Sequence, residues 1–342
     1  MLLSFEALRP GVIISLFVLH LIGNILISCA VPPLIASSPL SGQETREKAD
    51  DVIRISTDLV TVPAIVSDSH GHRILGLNQR DFAVRSDKTP VRVEFFSAGA
   101  DHVALAFLLD ASGSARDYVG HEREAALSLF SRFGPGSQVA VLHFSRKLDV
   151  AVPFTNTLDQ ARSGFQFPAV SNQGTAIFDA ALQALKLFRE RKADPTERRI
   201  IILTSDGLDT ASTTRPTEVV QLAQQQGISF YVIHFPIFSP RDGRLAPRAA
   251  ARGFRELAEK TGGHYFMVGN AKSALEPETS YDLSPIFKAI AEDLAGQYLL
   301  GFYPNNRSGD QTRHRLEVNL TNGTTGYRVK TLREEYQLKR NE

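Results

Sequence analysis

His102-Val103-Ala104-Leu105-Ala106-Phe107-Leu108-Leu109-Asp110-Ala111-Ser112-Gly113-Ser114 passes from a nearly continuous apolar run into a loop of short, oxygen-bearing side chains. Such a run reads as a buried strand that ends at Asp110. From His102 onward, strand patterns alternate with helical ones. Val119, Ala126, Leu127, Phe130 and Phe133 recur at helical spacing, as do Phe178, Ala181, Leu182, Leu185 and Phe188, so both helices are expected to pack on a sheet. Ile200 to Ser205, Ile228 to Phe235 and His264 to Val268 supply further strands, with Gly227 and Gly262 where helix C-caps would fall. Gln138 to Phe144 and Leu148 to Val152 are joined only by Ser145-Arg146-Lys147, too short for a crossover, so this pair is an antiparallel hairpin. The expected fold is α/β: a doubly wound, mostly parallel sheet with one antiparallel edge strand, spanning 101–296.

The flanks read differently. Ile55 to Ser67 alternates and is rich in Val, Ile and Thr, and Asp68-Ser69-His70-Gly71-His72 supplies turn residues, which predicts a hairpin. Asp81 to Arg85 and Val91 to Phe96 give two more strands of period two. Leu283 to Gly296 is the last helix. After it come strand patterns at Gln297 to Tyr303, His314 to Leu320 and Gly326 to Leu332, too many for the sheet already described. They are expected to complete the N-terminal strands, so that 53–100 and 297–342 form one small accessory β domain into which the α/β domain is inserted. His70 and His72 flank a turn glycine and, with no third ligand nearby, read as exposed turn histidines. His143 and His234 read as packed strand residues. The cationic stretch Arg189 to Lys192 with Arg198-Arg199 reads as the solvated end of a helix, where positive charge suits the dipole.

Two further stretches repeat the chemistry of the opening one. Asn172-Gln173-Gly174-Thr175 leads into a helix, and Asp206-Gly207 ends the Ile200 run. Ligands of open α/β sheets gather at that C-terminal edge. Capping of the next helix by Asp110 and Ser112 would explain one loop but not three. Together the pieces resemble the metal-ion-dependent adhesion site of the von Willebrand factor A family. The resemblance extends along the chain to the bacterial von Willebrand factor A-related proteins. It rests there on Asp58-Leu59-Val60-Thr61-Val62, Gly76-Leu77 with Arg80-Asp81-Phe82, and Gln297-Tyr298-Leu299-Leu300-Gly301-Phe302-Tyr303-Pro304. Departures are Gln173 in place of a usual glycine, Ser205 in place of a common threonine, and the ending Arg333-Glu334-Glu335-Tyr336.

The resemblance implies that Asp110, Ser112, Ser114, Thr175 and Asp206 hold Mg²⁺ or Mn²⁺. The donor chemistry agrees, since a hard divalent ion takes about six oxygen ligands and keeps waters readily. Two carboxylates only balance the ion's charge, which leaves it attractive to an outside Asp or Glu. The Ser114 and Thr175 loops each run into a helix N-terminus, whose dipole and free N–H groups would favour that anion. In related integrin-type domains engagement can shift the last helix, so the resemblance makes Leu283 to Gly296 a candidate switch.

The remaining sequence sets the context. Arg9 precedes a mostly apolar stretch, Gly11 to Ser28, which suits a signal peptide or membrane anchor over 1–29. Leu26-Ile27-Ser28-Cys29 resembles a bacterial lipobox, and Cys29, the chain's single cysteine, is the expected lipidation site. Residues 30–52 read as a flexible tether. Beside a lipobox, the sequons at Asn306, Asn319 and Asn322 are incidental. A net charge of +1 across 342 residues gives no electrostatic reason to expect nucleic acid, and no nucleotide-binding fingerprint occurs. Position 112 carries Ser where phosphotransferases of the haloacid dehalogenase type repeat Asp, and no nucleophile elbow is found. The expectation is a non-enzymatic, extracytoplasmic, membrane-tethered module that binds an acidic residue of a partner protein. The alternatives are a non-catalytic assembly subunit of an envelope complex and, after it, a metal-dependent hydrolase.

Overall fold

A computed structural model describes residues 59–112, 116–166, 174–191, 194–276, 281–304, 312–321 and 326–338. The expected targeting segment, Cys29, the tether, Ser114, Asn306 and Asn322 lie outside them. Among the described residues the first elements are β1 (Val60–Ser67), β2 (Phe82–Ser86), β3 (Thr89–Val91) and β4 (Phe95–Ala98). There follow β5 (Val103–Asp110), α1 (Arg116–Phe130), β6 (Gln138–Phe144), β7 (Leu148–Thr155), α2 (Leu158–Ser163), α3 (Ile177–Glu190), β8 (Arg198–Ser205) and α4 (Pro216–Gln226). Next are β9 (Ile228–His234), β10 (Phe238–Arg241), β11 (Arg244–Pro247), α5 (Phe254–Thr261), β12 (Tyr265–Met267) and α6 (Ser284–Ala295). The last strands are β13 (Gln297–Phe302), β14 (His314–Leu320), β15 (Arg328–Thr331) and β16 (Glu335–Tyr336).

The central sheet has the order β12-β9-β8-β5-β6-β7, parallel throughout except for the β6–β7 pair. Every residue of β5 is buried, because helices cover both faces. Leu105, Phe107 and Leu109 meet Leu129 and Phe130 of α1 and Phe287, Ile290 and Leu294 of α6. Ala104, Ala106 and Leu108 face Ile177, Ala181 and Leu185 of α3, where small side chains let the helix lie close. Each buried Leu, Ile or Phe contributes about 1.5–3 kcal/mol, so this double-sided core is what holds β5 and its terminal Asp110 in place. Strand order reverses between β5 and β8, which makes the C-terminal ends of these two strands the topological switch point.

The terminal strands interleave in two further sheets, β15-β1-β13-β4 and β16-β14-β2-β3. Their shared core draws Val62, Ala64 and Val84 from the N-terminal side and Tyr298, Leu300, Phe302, Leu316 and Val318 from the C-terminal side. The expected hairpin after β1 does not extend. Its return arm is limited to the bridge Ser67–Arg73 and the bond from Ile74 N–H to Val66 O, since β13 pairs with Val60 to Ile65 along that edge. A short hairpin, β10–β11, turns at Asp242-Gly243, both with positive φ as a two-residue turn requires.

Two polar ties join the sheets. Arg198 corrects the reading of a solvated helix end: it opens β8, is buried, and donates to the carbonyls of Gly99 (3.0 Å), Ser97 (3.2 Å) and Gln297 (3.0 Å). Burial pushes its guanidinium down to about 9. Asp293 of α6 accepts hydrogen bonds from Arg73 Nε (2.7 Å), His264 Nε2 (3.0 Å), the Tyr231 hydroxyl (2.7 Å) and Gln297 Nε2 (3.2 Å). Burial alone would raise its pKa. The His264 bond, the Arg73 charge and the Tyr231 hydroxyl instead hold it at about 2.

Candidate functional site at the sheet edge

Asp110 closes β5 at zero exposure. Its Oδ1 accepts the Ser112 N–H at 2.9 Å, the Asx-type bond that turns the chain out of the strand, and its Oδ2 accepts the Ser205 hydroxyl at 2.6 Å. The Ser112 hydroxyl also bonds to this carboxylate. Ser205 is the last residue of β8, and its Oγ in turn accepts the Gly207 N–H at 3.1 Å. One hydroxyl thus links the end of β5 to the loop that carries Asp206.

Asp206 is buried, with Oδ1 accepting Leu208 N–H at 2.8 Å. Its backbone carbonyl accepts the Nε2–H of His234 at 2.8 Å. Burial lowers the His234 pKa, so the ring is neutral and its Nδ1 accepts from the Tyr265 hydroxyl. Gly207 takes φ +78, and a Cβ there would lie 2.8 Å from His234 Nε2 and 2.9 Å from Ala250 Cβ, so this turn admits only glycine without displacement. His234 is a packed histidine, as its strand position predicts, and it also braces the Asp206 loop.

Thr175 is buried in the segment before α3 and is held from two directions. Its N–H donates to Thr210 Oγ1 at 2.9 Å, and its carbonyl accepts from the N–H groups of Thr210 (2.9 Å) and Ala211 (3.0 Å). The adjacent Ala176 N–H donates to Ser145 O at 2.8 Å, in the loop after β6. Loops following β6 and β8 therefore carry Thr175 to the C-terminal edge where Asp110 and Asp206 sit.

One expectation about this edge is corrected in part, at α3. Two N–H groups of its first turn are already engaged: Phe178 N–H donates to Asp209 Oδ2 (3.2 Å) and Ser212 Oγ (2.9 Å), and Asp179 N–H donates to Ser212 Oγ (3.2 Å). The loop after β8 caps the helix from outside, because Ala176 at the N-cap position has no side-chain acceptor. Asp179 is engaged too, accepting from Thr214 N–H at 2.8 Å. Against burial, its bonds from Thr214 and Thr213 hold its carboxyl below the usual range.

The electrostatics single out Asp110. Burial pushes its pKa up to about 6, and the charge of Asp206 adds to the rise, while the hydroxyls of Ser205 and Ser112 and the Ser112 N–H oppose it. A buried carboxylate beside a second one is an expensive arrangement unless a cation joins it. The available donors are all oxygens, which fits a hard divalent ion such as Mg²⁺ or Mn²⁺ better than a thiolate- or imidazole-seeking one.

A second cluster corrects the reading of the turn histidines. His70 and His72 do have a third potential ligand nearby, Asp68, and one ligand atom from each of the three lies within 4.8 Å of the others.

Residues 104–279 match the family model of the von Willebrand factor type A domain. No curated protein matches the chain. Among solved structures it is similar to an aerotolerance-related membrane protein from Bacteroides fragilis, at 19% identity over 56% of this chain and 98% of that one, with a TM-score of 0.43. It is also similar to proximal thread matrix protein 1 of the mussel byssus, solved with a zinc-occupied MIDAS motif, at 18% identity over 58% of this chain and 50% of that one, TM-score 0.45. A von Willebrand factor type A protein from Catenulispora acidiphila matches at 14% identity over 76% and 73% of the two chains, TM-score 0.43.

Proposed function

Since the chain belongs to the von Willebrand factor type A domain family, we propose that it is an extracytoplasmic module, tethered to the membrane through its N-terminus, that binds a partner protein through a divalent cation. Asp110, Ser112, Ser114, Thr175 and Asp206 would hold Mg²⁺ or Mn²⁺, and an exposed Asp or Glu of the partner would be the outside ligand. Lipidation at Cys29 would supply the anchor. Residues 53–100 and 297–342 would form the accessory β domain. No catalytic role is assigned to any of these residues.

The observation that carries this reading is the buried Asp110 carboxylate, raised to about 6 by burial and by Asp206 at the switch point of the sheet. Two acidic groups at one sheet edge repel each other, and an incoming cation would relieve that repulsion, which supports the reading. The braces around them, Ser205 on Asp110 and His234 on the Asp206 carbonyl, keep both groups positioned.

The test uses the full chain. Mn²⁺ should raise the thermal midpoint of the wild type and leave that of Asp110→Ala unchanged, and a ligand present at a hundredfold excess over its Kd adds about 2.7 kcal/mol of stability. A partner captured from the native envelope should be released by chelator and should not be captured by Asp110→Ala. Capture that survives both treatments would overturn recruitment through the cation and favour a permanent assembly role.

A further inference from the structure

The turn after β1 is ordered by its own backbone. Ser67 and Arg73 bridge its base, Asp68 N–H donates to His72 O at 3.0 Å, and Gly71 N–H donates to Asp68 O at 3.2 Å. Gly71 supplies the positive φ, +88, that closes the loop. Asp68 then uses one carboxylate oxygen internally: Oδ1 accepts the N–H groups of His70 (2.8 Å) and His72 (2.9 Å). Its other oxygen faces two imidazoles, with Oδ2 3.0 Å from His72 Nδ1 and 4.0 Å from His70 Nδ1. The two rings lie 6.0 Å apart with planes 24° from parallel. Both histidine side chains are 78% exposed, so water and ions reach the cluster freely.

An ion pair between Asp68 and His72 accounts for only half of this arrangement, and an exposed pair of that kind adds little to stability. We propose that Asp68, His70 and His72 form a metal site for a borderline divalent transition ion, Zn²⁺, Cu²⁺ or Ni²⁺, separate from the oxygen-lined edge at Asp110. Two imidazole nitrogens and one carboxylate oxygen suit these ions, whereas Mg²⁺ prefers oxygen donors throughout. The backbone bonds hold the loop closed before any ion arrives, so binding has to order little beyond two histidine rotamers. Three protein ligands leave at least one position for water or for a donor from outside the chain. The turn also lies at the far pole from Asp110. Arg73, at its base, bonds to Asp293 and approaches His264, which precedes the first residue of β12, whereas Asp110 is the last residue of β5.

The different donor sets make the two sites separable by experiment. In the full chain carrying Asp110→Ala, calorimetric titration should show one Zn²⁺ bound at the turn. Cu²⁺ in the same protein should give an electron paramagnetic resonance spectrum with coupling to two imidazole nitrogens. His70→Ala or His72→Ala should each weaken that binding by at least about tenfold, since loss even of a supporting residue costs that much at a metal site. Asp68→Asn keeps an oxygen acceptor for the His70 and His72 N–H groups, so the turn persists while the charged ligand is lost, and Zn²⁺ binding should weaken with unchanged thermal stability. Made instead in the chain that keeps Asp110, each of the three changes should leave the Mn²⁺ response of that site intact. Zn²⁺ affinity equal to wild type in His70→Ala or His72→Ala, equal affinity in Asp68→Asn, or no Zn²⁺ uptake by Asp110→Ala at saturating supply would each overturn the proposal.

Discussion

Asp110 and Asp293 are both acidic residues buried against the same sheet, and the protein treats them in opposite ways. Asp293 receives a guanidinium, an imidazole, a phenol and an amide, and its pKa falls to about 2. Asp110 receives two hydroxyls and one N–H while facing a second carboxylate, and its pKa rises to about 6. Relative to the ordinary value of 3.8, the first change stabilises the ionised fold by about 2 kcal/mol and the second destabilises it by about 3 kcal/mol. The chain therefore has the means to neutralise a buried carboxylate with its own cations and does so at α6. Among the described residues, Asp110 instead is given only neutral donors.

Replacing each residue in turn is the strongest way to break that comparison. Asp293→Ala leaves Arg73 and the Tyr231 hydroxyl without their acceptor, Gln297 Nε2 keeping the Tyr231 oxygen at 3.1 Å, and losing one partner of a buried pair costs about 3–5 kcal/mol. Because Arg73 is a quarter exposed, the lower end of that range is expected. Asp110→Ala in chelator should show no comparable loss, because it removes a repulsion as well as three hydrogen bonds. Urea denaturation of the two variants beside the wild type decides the matter. Equal losses would mean that Asp110 is an ordinary satisfied core residue.

The sequence shows the two carboxylates unequally, for a physical reason. Asp110 ends an apolar run that is buried on both faces, and such a strand is legible from composition alone. Thr175 and Asp206 are placed on the same edge by the order of strand and helix patterns. Nothing local marks Asp293, whose partners come from positions 73, 231, 264 and 297 and meet only when the terminal strands interleave with the α/β unit. The bracing roles of Ser205 and His234 escape for the same reason, since the Ser205 bond to Asp110 spans 95 residues. Asp209 and Ser212 cap a helix that begins more than thirty residues earlier in the chain. Arg198 is misplaced because a run of basic residues spans the end of α3 and the start of β8, and charge carries no periodicity with which to divide it. The β10–β11 hairpin is absent from the expectations above although Asp242-Gly243 carries a plain turn signal.

The two groups also predict opposite pH limbs in the chelated protein. As pH falls from about 6 to 3.8, the folded state takes up a proton at Asp110 before the unfolded chain does, so stability rises, by at most about 3 kcal/mol. As pH falls further from 3.8 to about 2, the unfolded chain takes up its proton before Asp293 does in the fold, so the stability held by that residue is lost. Saturating Mn²⁺ should flatten the upper limb, because an ion on Asp110 replaces the proton. Asp110→Asn should abolish that limb with or without Mn²⁺ and leave the lower one in place. Denaturation midpoints measured across this range would contradict the assignment if the upper limb survived in Asp110→Asn.

The finest test concerns the hydroxyl that stands between the two carboxylate loops. Ser205 donates to Asp110 Oδ2 and accepts from Gly207 N–H, so Ser205→Ala removes one bond to an ionised group and leaves a buried backbone donor without its acceptor. The expected loss is about 1–2 kcal/mol at pH 7. Below the Asp110 pKa the loss should shrink, since the protonated carboxyl depends less on a donor. Because that hydroxyl lowers the Asp110 pKa, the upper pH limb should begin above 6 in the variant. Ser205→Thr keeps the oxygen and should restore the wild-type midpoint. If Ser205→Ala left the limb where it was, the hydroxyl would be a brace for the backbone turn alone, and the Asp110 charge would be set by burial and Asp206.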